Sequence, residues 1–274
     1  MKGEFFMNYK LVVFDLDGTL YEGTDHFDFY ATHLQQKVAK KDRLEFQLDY
    51  EAMKAGNHVV QIGKAYDVAR DAVLTIDPMT LKVTAAHTWE GEQYDQASVE
   101  EVYTGELSFN FEDMIAIGDG WWYPFVCAKH YGVTDCYSSY QATKEYMVSD
   151  KFQLEPLPGL RDKLLELKKH THVVVMTNSD RDDVGRLFKE LGLEGVFEHI
   201  ISSAKKPTRT MGLFEQLLSH YEVKPEEAVS VGDNFINEIA PAVLLGMDAV
   251  YIHPQRPKVD LEQVRVVSTV LELW

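Results

Sequence analysis

The chain of 274 residues is 45% hydrophobic and 26% charged, the composition of an ordinary globular protein with room for one large domain or two smaller ones. Its formal charge of -17 excludes a nucleic-acid backbone as partner, which would need clustered Lys and Arg, and leaves any anionic substrate dependent on local cations. No apolar stretch approaches the roughly 18 residues of a membrane span. The opening MKGEFFMNYK lacks the apolar core of a secretion signal, and two cysteines, Cys127 and Cys136, are too few for a disulfide framework, so the expectation is a cytoplasmic protein without membrane partners.

Leu11 to Phe14 are four adjacent apolar residues, which predicts a strand buried on both faces, as in a parallel sheet. The run stops at Asp15, Leu16, Asp17, Gly18 and Thr19. Gly18 allows a sharp turn, and two carboxylates at the C-terminal end of such a strand stand where open α/β sheets bind ligands. Beyond Leu20 the pattern becomes mostly helical. His26 to Lys40 and Arg43 to Ala55 read as amphipathic helices, and Val73–Ile76 with Leu81–Thr84 as a short hairpin around Asp77–Pro78. Gln96 to Val102 and Tyr137 to Met147 are further helices. Met114 to Gly120 places Gly-Asp after an apolar run but has Pro124, not an acid, five residues beyond Asp119, and reads as a turn. The nearby Trp121, Trp122, Tyr123 and Phe125 fit a packed core better than a substrate wall.

From Pro156 the pattern is regular. Leu160 to Lys169 is an amphipathic helix, and His172 to Met176 a buried strand ending in Thr177, Asn178 and Ser179. Asp183 to Leu191 is a helix that Gly192 ends, and Val196 to Ser202 is a strand leading to Lys205–Lys206–Pro207. Met211 to Tyr221 is a helix, Ala228 to Val231 a strand running into Gly232–Asp233, Ile236 to Leu245 a helix interrupted at Pro241, and Ala249 to Ile252 a strand. Val264 to Trp274 fits strand or helix. Strands alternating with helices of about ten residues specify a doubly wound parallel sheet with right-handed crossovers. The first strand has no crossover helix of its own. The expected organisation is therefore an α/β core of residues 1–21 and 155–274, with residues 22–154 inserted as a mainly α-helical domain.

Four strand ends then carry polar residues suited to phosphate chemistry: Asp15 with Asp17, Thr177 with Asn178, Lys206, and Asp233 with Glu238. In FDLDGTL, VVVMTNS, KKP and SVGDNFINE, taken in that order, the sequence resembles the haloacid dehalogenase superfamily, outside the central insertion. The resemblance implies a Rossmann-like core, a cap domain that closes over the site, and Mg²⁺-dependent hydrolysis of a small phosphomonoester. Phosphoryl transfer needs positioning and charge neutralisation. Asp15 would be the nucleophile, forming an aspartyl-phosphate. Asp17 would protonate the leaving alkoxide and later deprotonate the attacking water. Asp15 and Asp233 would offer Mg²⁺ the hard oxygen ligands it prefers. The family pattern adds the main-chain carbonyl of Asp17 to the metal. Thr177 would donate its hydroxyl to a phosphoryl oxygen, helped by main-chain N–H groups near Asn178. Lys206 would neutralise charge on Asp15 and on the phosphoryl group. Glu238 fills a position where the family more often has Asp, so a contact through water or one that orients Lys206 competes with direct ligation. Superfamily members that cleave carbon–halogen bonds lack an acid at the place of Asp17, because halide leaves unprotonated.

Taken singly, each residue has a plainer reading. Thr177 fits a helix cap, Lys206 a solvated pair with Lys205, and Asp233 an N-cap. Their joint order at successive strand ends outweighs those readings. Arg181, Arg209 and His253 fit surface or structural roles. Two alternatives to the phosphatase remain at this stage: a phosphomutase of the same family, and a non-catalytic binding or regulatory protein on the same fold.

Overall fold

The computed structural model describes residues 5–147, 149, 151–152 and 154–274. The chain divides into two compact units, Met1–Gly23 with Leu154–Trp274, and Thr24–Gln153. Among the described residues, no helix is long and apolar enough to cross a membrane.

A short 3-10 helix (Phe5–Asn8) precedes β1 (Leu11–Phe14), every residue of which is buried. In the second unit follow α1 (Asp25–Lys37), α2 (Arg43–Lys54), β2 (Lys64–Asp67), β3 (Ala72–Asp77), β4 (Lys82–His87), α3 (Gln96–Val102), β5 (Met114–Ala116), α4 (Trp122–His130) and α5 (Tyr137–Met147). The predicted hairpin is present as β3 and β4, but it belongs to a four-stranded antiparallel sheet in the order β4-β3-β2-β5. The additional strands β2 and β5 have four and three residues, too few to show a period of two in the sequence. Helix α4 also lacked a sequence signal, because Pro124 stands in it. As the third helical residue, Pro124 sits in the first turn, where its missing N–H has no partner to lose.

Tyr30 and Leu34 of α1, Phe46, Tyr50 and Met53 of α2, Tyr66 of β2 and Ile115 of β5 share one core, against which Trp121, Trp122, Tyr123 and Phe125 pack. The aromatic run is thus core packing. Asp119 accepts a hydrogen bond from the Trp121 N–H at 2.8 Å, which closes the turn after β5. Cys127 and Cys136 are buried free thiols in this unit.

The first unit resumes with α6 (Leu160–Leu167), β6 (His172–Met176), α7 (Arg181–Glu190), β7 (His199–Ile201), α8 (Thr210–His220), β8 (Ala228–Gly232), a single π-helical turn (Phe235–Ile239), α9 (Ala240–Leu244), β9 (Asp248–Ile252) and β10 (Val264–Val267). Six strands form one parallel sheet in the order β10-β9-β8-β1-β6-β7. β1 lies between β6 and β8, with Val13 level with Val174 on one side and Ser230 on the other. That interior position explains its unbroken apolar run. Leu11 and Val13 belong to the core that Leu213, Phe214 and Leu217 of α8 and Ala242 of α9 complete. On the opposite face, Phe14 meets Phe6 and Phe197, and Phe197 meets Phe188 of α7. Helices therefore cover both faces of the sheet, in a doubly wound α/β fold.

Helix α7 is capped by Asp180, whose carboxylate accepts from the N–H groups of Asp182 and Asp183. The cap is thus Asp180 and not Thr177, and the helix starts two residues before the predicted Asp183. Gly192 ends it at φ +67°, a left-handed conformation that suits glycine. The predicted strand over Val196 to Ser202 contracts to three residues, His199–Ile201, at the sheet edge. The last segment is both of its two candidates in turn, β10 followed by a short 3-10 helix at Val270–Leu273.

Candidate active site

At the C-terminal end of β1 the ladder continues one step, with the Asp15 N–H donating to the Val231 carbonyl at 2.9 Å. The chain then turns at Gly18, whose φ is +71°. A Cβ built there would lie 2.2 Å from Asp233 Oδ2, so a glycine lets the carboxylate after β8 lie against the turn after β1. After β6, the Thr177 N–H donates to the Ile201 carbonyl and its own carbonyl accepts from Ala204, which ties this strand end to the segment leading to Lys206. Beyond β8, Asn234 caps the π-helical turn by accepting from the Asn237 N–H at 3.1 Å. This wide turn brings Glu238 back to the strand end. A Cβ on Gly232 would stand 2.6 Å from Glu238 Cγ, so the bare backbone there leaves room for the glutamate.

Lys206 Nζ lies 2.6 Å from Asp15 Oδ1 and 2.6 Å from Glu238 Oε1, with all three side chains buried. The second oxygen of Glu238 accepts from the Asn234 N–H at 3.0 Å. Asp15, Asp233 and Glu238 each offer a carboxylate oxygen within 4.8 Å of the others. Three carboxylates thus cluster where one ammonium pairs with two of them, leaving excess negative charge. Burial raises the Asp15 carboxyl above the usual carboxylate range, Lys206 opposes this, and the Asp17 charge adds to it. Glu238 is pushed up to about 8 by burial, again against Lys206, with Asp15 contributing. Burial disfavours the Lys206 ammonium, but Asp15 and Glu238 outweigh it and hold its proton more tightly than usual. A hard divalent cation fits this donor set, since it would neutralise the surplus charge with oxygen ligands.

Asp17 points to a separate group. The Tyr21 hydroxyl donates to its Oδ1 at 2.5 Å, and the Ser179 hydroxyl to its Oδ2 at 3.1 Å. Thr177 Oγ1 is 3.5 Å from the same Oδ2 and accepts from the Ser179 N–H at 3.0 Å. The Asn178 side chain is clasped to Lys206: its Oδ1 accepts from the Lys206 N–H at 2.7 Å and its Nδ2 donates to the Lys206 carbonyl at 3.1 Å. All seven residues singled out in the sequence therefore lie at strand ends of one unit. Asp15, Lys206, Glu238 and Asp233 form one group, Asp17 with Thr177 a second, and Asn178 braces the lysine backbone. Sequence reasoning missed Tyr21 and Ser179. Ser179 closes the motif VVVMTNS and Tyr21 directly follows FDLDGTL, yet only the fold carries their hydroxyls to Asp17.

A family model for haloacid dehalogenase-like hydrolases matches residues 9–245. Over 115 residues the chain is 33% identical to a glyceraldehyde 3-phosphate phosphatase of Pyrococcus furiosus, covering 40% of this chain and 47% of that protein. Over 104 residues it is 32% identical to haloacid dehalogenase-like hydrolase domain-containing protein 3 of Xenopus laevis, covering 37% and 42%. The chain thus spans about half the length of the curated relatives it matches, or slightly less. Two solved structures share the fold, each with a TM-score of 0.52: a haloacid dehalogenase-like hydrolase from Xanthomonas campestris, at 15% identity with 97% and 89% coverage, and the putative hydrolase YfnB from Bacillus subtilis, at 14% identity with 97% and 96% coverage. With the matching model spanning most of its length and these strand-end residues in one cluster, the chain belongs to the haloacid dehalogenase-like hydrolase family.

Proposed function

We propose that this hydrolase is a Mg²⁺-dependent phosphomonoesterase, acting on a small phosphate ester through an aspartyl-phosphate on Asp15. The observation that carries the reading is Asp17, a second carboxylate beside the Asp15–Lys206 pair and held by hydroxyl groups of its own. An ester oxygen leaves as an alkoxide and needs a proton, whereas a halide does not. The phosphatase name of the Pyrococcus furiosus relative supports the same substrate class.

In this reading Asp15 attacks phosphorus as the ester P–O bond breaks. The departing oxygen takes the proton of Asp17, leaving the aspartyl-phosphate and the Asp17 carboxylate. Asp17 then accepts a proton from the attacking water, whose oxygen bonds to phosphorus, so that inorganic phosphate and the Asp15 carboxylate are released. Lys206 offsets charge on Asp15 and on the phosphoryl oxygens, and Glu238 and Asn178 hold Lys206 in place. Thr177 Oγ1 and the N–H groups beside Asn178 donate to phosphoryl oxygens. Asp15 and Asp233, with the Asp17 carbonyl, hold the cation, and Glu238 acts through Lys206. The cation, when bound, supplies neutralisation of the phosphoryl charge. The Thr24–Gln153 unit serves as the inserted cap that selects the leaving group, and the setting is cytoplasmic.

The test is phosphate release from a panel of phosphomonoesters with Mg²⁺, without it, and with EDTA. Mg²⁺-dependent release favouring one or two compounds is expected. Release unaffected by EDTA would overturn the metal requirement, and no release from any ester would overturn the phosphatase reading.

A further inference from the structure

The Asp17 carboxylate has a cradle that the family match and the relatives' names leave unassigned. Tyr21 is buried, at 1% exposure, and its hydroxyl ends on Asp17 Oδ1. Tyr21 reaches that oxygen because the Gly18 turn folds the chain back: the Leu20 N–H donates to the Leu16 carbonyl at 2.9 Å, and Asp17 and Tyr21 form an isolated bridge. From the other side, Ser179, also buried, reaches Oδ2 from the end of β6. The two oxygens of Asp17 are thus addressed from two different strand ends.

We propose that Tyr21 and Ser179 are positioning residues for proton transfer by Asp17, fixing the carboxyl so that one oxygen meets the departing ester oxygen and later the attacking water. The inference rests on the phosphatase reading, and it adds the two residues through which Asp17 would act. A carboxyl free to turn about its Cβ–Cγ bond presents its proton to the leaving oxygen in only a fraction of its orientations. Two hydroxyls on opposite oxygens remove that freedom, in the way that bound orientation lowers a barrier. Neither hydroxyl takes part in the attack by Asp15.

A positioning role for the acid differs from a general structural role in its dependence on the leaving group. Proton donation matters most for an alkoxide of high pKa and least for p-nitrophenolate, which departs without a proton. The test uses kcat/KM, which covers the steps through departure of the leaving group, for p-nitrophenyl phosphate, phenyl phosphate and an alkyl phosphate. It compares the unmodified protein with Tyr21→Phe and Ser179→Ala. Tyr21→Phe keeps the buried ring and removes one oxygen, and Ser179→Ala is an independent second variant at another strand end.

The expected result is a loss of about tenfold or more on the alkyl ester, shrinking to about threefold or less on p-nitrophenyl phosphate, with a steeper dependence on leaving-group pKa in both variants. Losses equal across the series would overturn the inference and leave the phosphatase reading standing. Failure of the unmodified protein to hydrolyse any of the three would overturn both.

Discussion

Replacing Lys206 by Met tests the charge balance of the site most directly. The lysine Nζ lies 2.6 Å from two buried carboxylates, and its side chain is only 2% exposed. Met keeps the length and the apolar stem but removes the ammonium. Breaking a buried ion pair by removing one partner costs about 3–5 kcal/mol, since the remaining charge is left uncompensated. Here two carboxylates lose their partner at once, so the upper part of that range is expected for metal-free protein at pH 8. The pH dependence has a definite sign. Without Lys206 the folded-state pKa of Asp15 and Glu238 rises further above the unfolded values. Their contribution is then fully present below the unfolded pKa and is lost as pH rises through the folded one. Each carboxyl that keeps its proton only in the folded chain costs about 1.4 kcal/mol per pH unit in this window. The variant's deficit should therefore narrow by about 1–3 kcal/mol between pH 8 and pH 6. Urea unfolding of both proteins in EDTA at the two pH values, followed by circular dichroism, measures it. A deficit under about 1 kcal/mol at pH 8, or one identical at both values, would refute the reasoning.

Other perturbations address neighbouring parts of the site. Asp15→Asn is nearly isosteric and should abolish phosphate release while the circular dichroism spectrum stays unchanged; retained turnover would remove Asp15 from its role as nucleophile. Mg²⁺ added to metal-free protein should raise Tm more at pH 8.5 than at 6.5, because a bound cation favours the ionised forms of its ligand Asp15, raised by burial, and of the neighbouring Glu238, pushed up to about 8 by burial. An equal rise at both values would contradict that linkage. Gly18→Ala places a Cβ 2.2 Å from Asp233 Oδ2 on a backbone at φ +71°, and should destabilise the protein by about 2–4 kcal/mol and weaken Mg²⁺ binding measured by calorimetry.

The parallel sheet was legible in the sequence because its inner strands β1, β6 and β8 are buried on both faces. Each therefore reads as a short apolar run with a sharp polar stop, at Asp15, Thr177 or Asp233, and a local pattern of that kind needs no tertiary context. The same stops marked Asp15, Asp17, Thr177, Asn178 and Asp233, since in a parallel sheet all strands end on one side, whereas Lys206 and Glu238 were singled out by the resemblance to the family's motifs. Strands β2 and β5 escaped notice because three or four residues in an antiparallel sheet carry too little pattern, and α4 because Pro124 looks like a break until it is seen in the first turn. Tertiary structure alone decided how the site residues divide. Glu238 was open between metal and lysine, and it contacts Lys206, 32 residues away in sequence, through the width of one π-helical turn. Tyr21 and Ser179 reach Asp17 from two strand ends 158 positions apart, a convergence that chain order does not encode. Sequence determined which groups stand at the strand ends, because burial patterning is local. Only the fold decided which of them touch, because those contacts depend on turns whose geometry is set by packing around them.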